Sequence, residues 1–140
     1  MCYDLSHISD YVKPIDTTVY RVLKKALPGA FTFIFNASKN VPKLLSSNKQ
    51  TVGIRVPDNS IARCIVKELG NPILSTSIKD DDEIIEYSTD PELIYEKYQD
   101  QVDLVIDGGY GGNIASTVVD CTSGDFEVIR EGKGELDLYL

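Results

Sequence analysis

The sequence predicts an α/β fold, a twisted mixed open sheet flanked by helices, and three observations carry that expectation. Segments with period-two patterning, Phe31-Phe33-Phe35 foremost, read as strands with one face in a core. Between them lie stretches whose apolar residues recur at helical spacing. The two kinds of segment alternate along the chain, as they do where helices cover a sheet. At 140 residues, with no internal repeat and no linker-like run, the chain suits one domain over 1–140 with enough apolar surface for a core.

Taken in order, the first helix runs from Asp16 to Leu27. Val19, Val22, Leu23, Ala26 and Leu27 recur at helical spacing, Asp16 or Thr17 supplies the N-cap, and Pro28-Gly29 ends it. The alternation from Phe31 to Asn36 predicts a strand. A short helical turn is expected near Pro42. Thr51 to Val56 reads as a second strand stopped by Pro57, which cannot donate to a ladder. Asp58 or Asn59 caps a second helix carrying Ile61, Ile65, Val66 and Leu69, closed by Gly70 at the position where a left-handed residue is favoured. Pro72 to Leu74 reads as a short strand opening into Ser75-Thr76-Ser77, and the acidic run from Asp80 to Glu83 as an exposed loop. Thr89-Asp90-Pro91-Glu92 has capping-box spacing for a third helix reaching Gln101. Val102 to Ile106 reads as a buried strand ended by a glycine loop. Thr117 to Val119 and Phe126 to Ile129 read as two more, joined by the turn at 122–125.

Charge divides the chain. Up to Lys79 there are 11 Lys or Arg against 5 Asp or Glu, and beyond it 3 against 17, within a net charge of −8. Such asymmetry predicts an anion-binding surface in the first part and a solubilising second part. No apolar stretch approaches the roughly 20 residues that span a bilayer, and the start lacks a signal-peptide pattern, so the expectation is a cytoplasmic protein that does not engage membranes. Three scattered cysteines, Cys2, Cys64 and Cys121, imply reduced and mostly buried thiols rather than a disulfide framework. The single histidine, His7, argues against a His-rich metal site or a catalytic His pair. No structural metal is expected.

Ligands of open α/β sheets gather at strand ends. Four features sit at such boundaries: Pro28-Gly29-Ala30-Phe31-Thr32, Arg55, Ser75-Thr76-Ser77, and the glycine loop leading to Ser116-Thr117. Hydroxyls and backbone N–H groups suit phosphate and carboxylate oxygens, and Arg supplies a planar fork. Each also has a plain structural reading: a strand residue, an ion-pair partner, a cap, a tight loop. Gly-Gly-Tyr-Gly-Gly at 108–112 is neither a P-loop nor a dinucleotide fingerprint. Residue types and spacing therefore reach an anionic small-molecule site and name no catalytic residue.

A resemblance goes further. Pro28-Gly29-Ala30-Phe31-Thr32 is similar to the P-G-P-x-T strand of the YrdC/YciO family. The likeness continues through Val52 to Asp58, Leu74 to Ser77, Ile106 to Gly109, Ser116 to Asp120 and Arg130-Glu131-Gly132. The ending Arg130 to Gly134 resembles the YciO branch more than the YrdC branch of threonylcarbamoyl-AMP synthases. The resemblance implies a partial YrdC-like sheet with a basic concave face for ATP and for tRNA or double-stranded RNA. In the synthases, a carbamate of threonine attacks the α-phosphate of ATP, giving threonylcarbamoyl-AMP for modification of a tRNA adenosine. By the same resemblance, Thr32, Ser75, Ser77, Ser116 and Arg130 are nucleotide-binding, Arg55 is substrate-binding, and ATP, with Mg²⁺, is the substrate.

Two departures accompany the likeness. Ile78 and Lys79 stand where the synthases have alanine and asparagine. The family's T-D-T-x-Y-G turn and K-x-R-P segment are not in this sequence, and Asp16-Thr17-Thr18-Val19-Tyr20 only mimics the first from within a helix. The expectation is a domain N-terminally truncated relative to the family, with uncovered sheet edges that favour a homo-oligomer. The leading reading is a YciO-like nucleotide-binding protein. An active synthase, a non-catalytic RNA-binding module and a remnant without ligand are its rivals.

Overall fold

The computed structural model describes residues 1–42, 50–78 and 88–140, and these form two compact units. The first comprises Met1–Leu74 with Ser116–Leu140, the second Ser75–Ala115.

In the first unit a four-stranded sheet runs in the order β2-β1-β3-β4, with β1 at Phe31–Asn36, β2 at Thr51–Ile54, β3 at Thr117–Asp120 and β4 at Glu127–Arg130. β1 pairs parallel with β3, and the outer pairs are antiparallel, so the sheet is mixed and open. Its two faces differ. Phe31, Phe33 and Phe35 from β1, Ile54 from β2 and Val119 from β3 turn to a core face. Thr32, Ile34 and Asn36 alternate with the phenylalanines on the half-buried opposite face. Phe31 and Phe33 stack with centroids 5.4 Å apart, and Tyr139 meets Phe31 edge-on at 5.7 Å. Removing one such buried ring costs about 3–5 kcal/mol.

Helix α1 at Ile8–Tyr11 and helix α2 at Thr17–Ala26 lie in the same unit. α2 covers the core face with Val19, Val22, Leu23 and Ala26, as its spacing predicts; Asp16 accepts from the Thr18 N–H as N-cap. Helix α3 at Ser60–Leu69 is capped by Asn59, whose side chain accepts from the Ala62 N–H, and closes at Gly70 with φ +80°. Only glycine adopts that conformation freely. Helix α4 at Pro91–Tyr98, capped by Asp90, belongs to the second unit.

The mixed open α/β sheet matches the sequence expectation; several boundaries do not. β2 ends at Ile54 rather than Val56. The Arg55 carbonyl accepts from the Cys2 N–H and the Val56 carbonyl from the Gly29 N–H, so these groups have partners away from β1. Pro72 to Leu74 is not a strand; Ile73 exchanges two backbone hydrogen bonds with Met1 instead. Val102 to Ile106 is neither a strand nor buried. Leu104 is 74% exposed, and among the described residues of the second unit no strand exists to pair with it. Helix α1, with Ile8 buried, lies in a stretch that sequence polarity left unassigned. The expected turn near Pro42 and the acidic loop fall chiefly on residues outside the described ones. Cys2 and Cys121 are buried and free, whereas Cys64 is exposed. Among the described residues no helix is long and apolar enough to cross a membrane, and no group of His, Cys, Asp or Glu is placed to hold a metal ion.

Candidate functional site

The half-buried face of the sheet gathers most of the candidate residues. β1 contributes Thr32, and register sets it opposite Val118 of β3. Ser116, two residues earlier and on the same side, brings its hydroxyl 3.0 Å from Thr32 Oγ1. In β4 a bulge makes the register shift between Val118 and Val119: Val119 pairs with Val128, but Val118 pairs with Arg130. Ile129 is the extra residue. The bulge thus places Arg130, not an isoleucine, beside Val118 on the hydroxyl-bearing face, a common use of bulges beside functional sites. The Arg130 guanidinium donates from Nη2 to the Ser116 carbonyl at 2.7 Å.

Arg55 follows Ile54, whose side chain is in the core, so strand alternation turns it to the same face as Thr32. It is half-buried, and its Nε is shielded from solvent with no hydrogen-bond partner among the described residues. Burial, and then the nearby charge of Arg130, lower its pKa below the ordinary guanidinium range. Two guanidinium groups that repel each other, one with a donor unmet, are an arrangement that an oxyanion relieves. Gly53 keeps the surface beside Thr32 open, because a Cβ there would stand 3.2 Å from Thr32 Cγ2.

One row further along the sheet the charge reverses. Ile34 pairs with Gly53 on one side and with Asp120 on the other, and Asp120 pairs with Glu127. The face therefore carries a register row Thr32-Val118-Arg130, made cationic by Arg130 and by Arg55 just past the end of β2, next to a row ending in two carboxylates. Thr117, of opposite parity, is buried and belongs to the scaffold: its hydroxyl donates to the Gly134 carbonyl at 2.6 Å and accepts from the Gly134 N–H at 3.1 Å.

Of the sequence-nominated residues, Thr32, Ser116, Arg130 and Arg55 meet on this one face. Ser75 and Ser77 lie in the second unit, both exposed in irregular chain. Sequence reading missed Asp120 and Glu127 as neighbours of the cationic row. Their signal was present in the strand parity, but the bulge that sets Arg130 in line with them leaves no mark in composition.

The profile of the Sua5_yciO_yrdC family, described as telomere recombination, matches residues 1–132. The chain belongs to this family. The Escherichia coli protein YciO is 42% identical over 142 residues, covering all of this chain and 68% of its own length. Its crystal structure superposes with a TM-score of 0.91, again over 100% of this chain and 68% of that one, at 40% identity. Threonylcarbamoyl-AMP synthase of Bos taurus is 33% identical over 122 residues, which cover 79% of this chain and 42% of the synthase. The family is thereby related to threonylcarbamoyl-AMP synthase. The crystal structure of P. abyssi Sua5 complexed with L-threonine shares the fold at a TM-score of 0.78 and 23% identity, covering 94% of this chain and 38% of its own.

Proposed function

We propose that the chain is a nucleotide-binding protein of the Sua5/YciO/YrdC family, which takes the phosphate oxygens of ATP or AMP on Arg55, Arg130, Thr32 and Ser116. The observation that carries this reading is the shielded, unpartnered Nε of Arg55 beside Arg130, around a hydroxyl pair 3.0 Å apart. Both guanidiniums supply charge-assisted donors, and the hydroxyls can donate or accept as the ligand requires. Mg²⁺ would arrive with the ATP, because no described group of residues is arranged to hold it. For a phosphoryl or adenylyl transfer such a surface works by positioning and charge stabilisation rather than covalent chemistry.

The neighbouring acidic row supports a second reading, an α-amino acid whose carboxylate faces the arginines while its ammonium faces Asp120. The relative complexed with L-threonine makes this chemistry pertinent. In the family's setting the two readings combine into threonylcarbamoyl-AMP synthesis, and ligand capture by tRNA or another RNA is the alternative use of the cationic row.

Calorimetric titration with Mg²⁺-ATP, AMP and threonine tests both readings. Saturable binding of either nucleotide, weaker at high salt, supports the first; threonine binding supports the second. If neither nucleotide produces heat at millimolar concentration, the nucleotide reading is wrong. Pyrophosphate release that requires threonine, bicarbonate and ATP together distinguishes a synthase from a binding protein.

A further inference from the structure

Among the described residues, Thr117 is the polar residue that the core takes in, 2% exposed at the start of β3 on the side of Phe31 and Val119. Valine has the same shape without the hydroxyl, and a buried hydroxyl is tolerated only where it finds hydrogen-bond partners. One residue supplies them. Thr117 Oγ1 donates to the Gly134 carbonyl at 2.6 Å and accepts from the Gly134 N–H at 3.1 Å. Gly134 lies so close to β1 that a Cβ on it would stand 2.6 Å from Phe31 Cε1 and 2.8 Å from the Ala30 carbonyl oxygen. The chain is thus tied down four residues beyond Arg130.

Arg130 needs such a tie. It is the last residue of β4, an outer strand of the described sheet whose four residues are all exposed, and the bulge between Val118 and Val119 interrupts the ladder beside it. Short, exposed strand ends of this kind open readily. Arg55 and Arg130 also repel each other, so charge by itself drives the Arg130 guanidinium away from the face that holds the Thr32 and Ser116 hydroxyls. Two contacts oppose that drift. Arg130 Nη2 donates to the Ser116 carbonyl at 2.7 Å, and the next residue of β3, Thr117, grips Gly134. The segment is fastened to β3 at two consecutive residues, with only Glu131, Gly132 and Lys133 between its ends.

We infer that Thr117 is a positioning residue for the anion site: by clamping Gly134 it fixes the end of β4 and, through it, the Arg130 guanidinium on the hydroxyl-bearing face. Strand parity turns the Thr117 side chain to the core, away from any ligand on that face, so it acts through Arg130 alone. Arginine has much rotamer freedom to lose, and an arginine already held in place loses less of it when an oxyanion arrives. For its ligand this inference rests on the nucleotide reading; for the placement of Arg130 it does not.

Nuclear magnetic resonance on the full chain without ligand reads that placement. The order parameter of the Arg130 Nε–H should be that of a rigid group in the native protein and in Thr117→Ser, and should fall below about 0.6 in Thr117→Val. Thr117→Ala, which sets no methyl against the Gly134 carbonyl, repeats the measurement if the valine variant does not fold. Titration with Mg²⁺-ATP then reads the consequence: Kd should rise about tenfold in Thr117→Val and stay within about twofold of the native value in Thr117→Ser. Val22→Ala, which weakens the core from α2, should lower Tm and leave Kd unchanged. An Arg130 as rigid without the hydroxyl as with it, a serine that fails to restore it, or a Val22→Ala variant whose Kd rises as much as that of Thr117→Val overturns the inference. If the native protein binds no nucleotide, the nucleotide reading falls, and the order parameters alone decide whether Thr117 places Arg130.

Discussion

Replacing Arg55 by methionine, which keeps much of the length but removes the charge, separates a functional arginine from a structural one. The Arg55 Nε is shielded and has no hydrogen-bond partner among the described residues, and the guanidinium sits within the field of Arg130. A buried donor without a partner costs about 1–3 kcal/mol. Because Arg55 is half-buried, the lower end applies, so Arg55→Met should stabilise the fold by about 1 kcal/mol, or about 4 °C in Tm for a domain of this size. The ligand sees the opposite. Losing a charge-assisted hydrogen bond to an oxyanion costs about 1.5–3 kcal/mol, a roughly 10- to 150-fold rise in Kd. Scanning calorimetry and titration with ATP on one preparation read both effects. A fall in Tm with binding unchanged would show that Arg55 braces the sheet, and the site argument would fail with it.

Two further outcomes follow from the scaffold. Gly134→Ala places a Cβ 2.6 Å from Phe31 Cε1 and 2.8 Å from the Ala30 carbonyl, so urea unfolding should show a loss of about 1–3 kcal/mol, whereas Gly112→Ala meets nothing within 4 Å and should be neutral. Cys121 is pushed up to about 12 by burial, and then by Asp120, against an ordinary value of 9.0. Its neutral thiol therefore contributes stability that is intact below pH 9 and lost as pH rises from about 9 towards about 12, where the unfolded chain ionises and the folded one does not. Thermal unfolding across that window should show a decline that Cys121→Ala flattens; an identical decline in the variant would refute the assignment.

Local pattern made much of the first unit legible. The phenylalanine alternation of β1, the caps at Asp16 and Asn59, and the Gly70 closure each follow from short-range sterics and hydrogen bonding, and each stands in the structure where residue type placed it. Thr32, Ser116, Arg55 and Arg130 were legible as chemistry at strand ends, although 98 residues of sequence separate the first from the last. The failures share one cause. Val102 to Ile106 has strand-like composition, yet a strand is defined by the neighbour it bonds to, and its own sequence cannot supply one. Ile73 likewise found its partner in Met1, far away in the chain.

Sequence alone determined the amphipathic pattern and starts of α2, α3 and α4, the family resemblance, and the division of charge at Lys79, because these depend on residues near one another in the chain. Tertiary structure decided the register. It set Arg130 rather than Ile129 on the open face through one bulged residue, brought Arg55 within the field of Arg130, and aligned a carboxylate row beside them. Pairing between distant strands is a long-range choice, settled by the whole sheet packing at once. A shift of one residue there exchanges the face every side chain occupies, and with it the site.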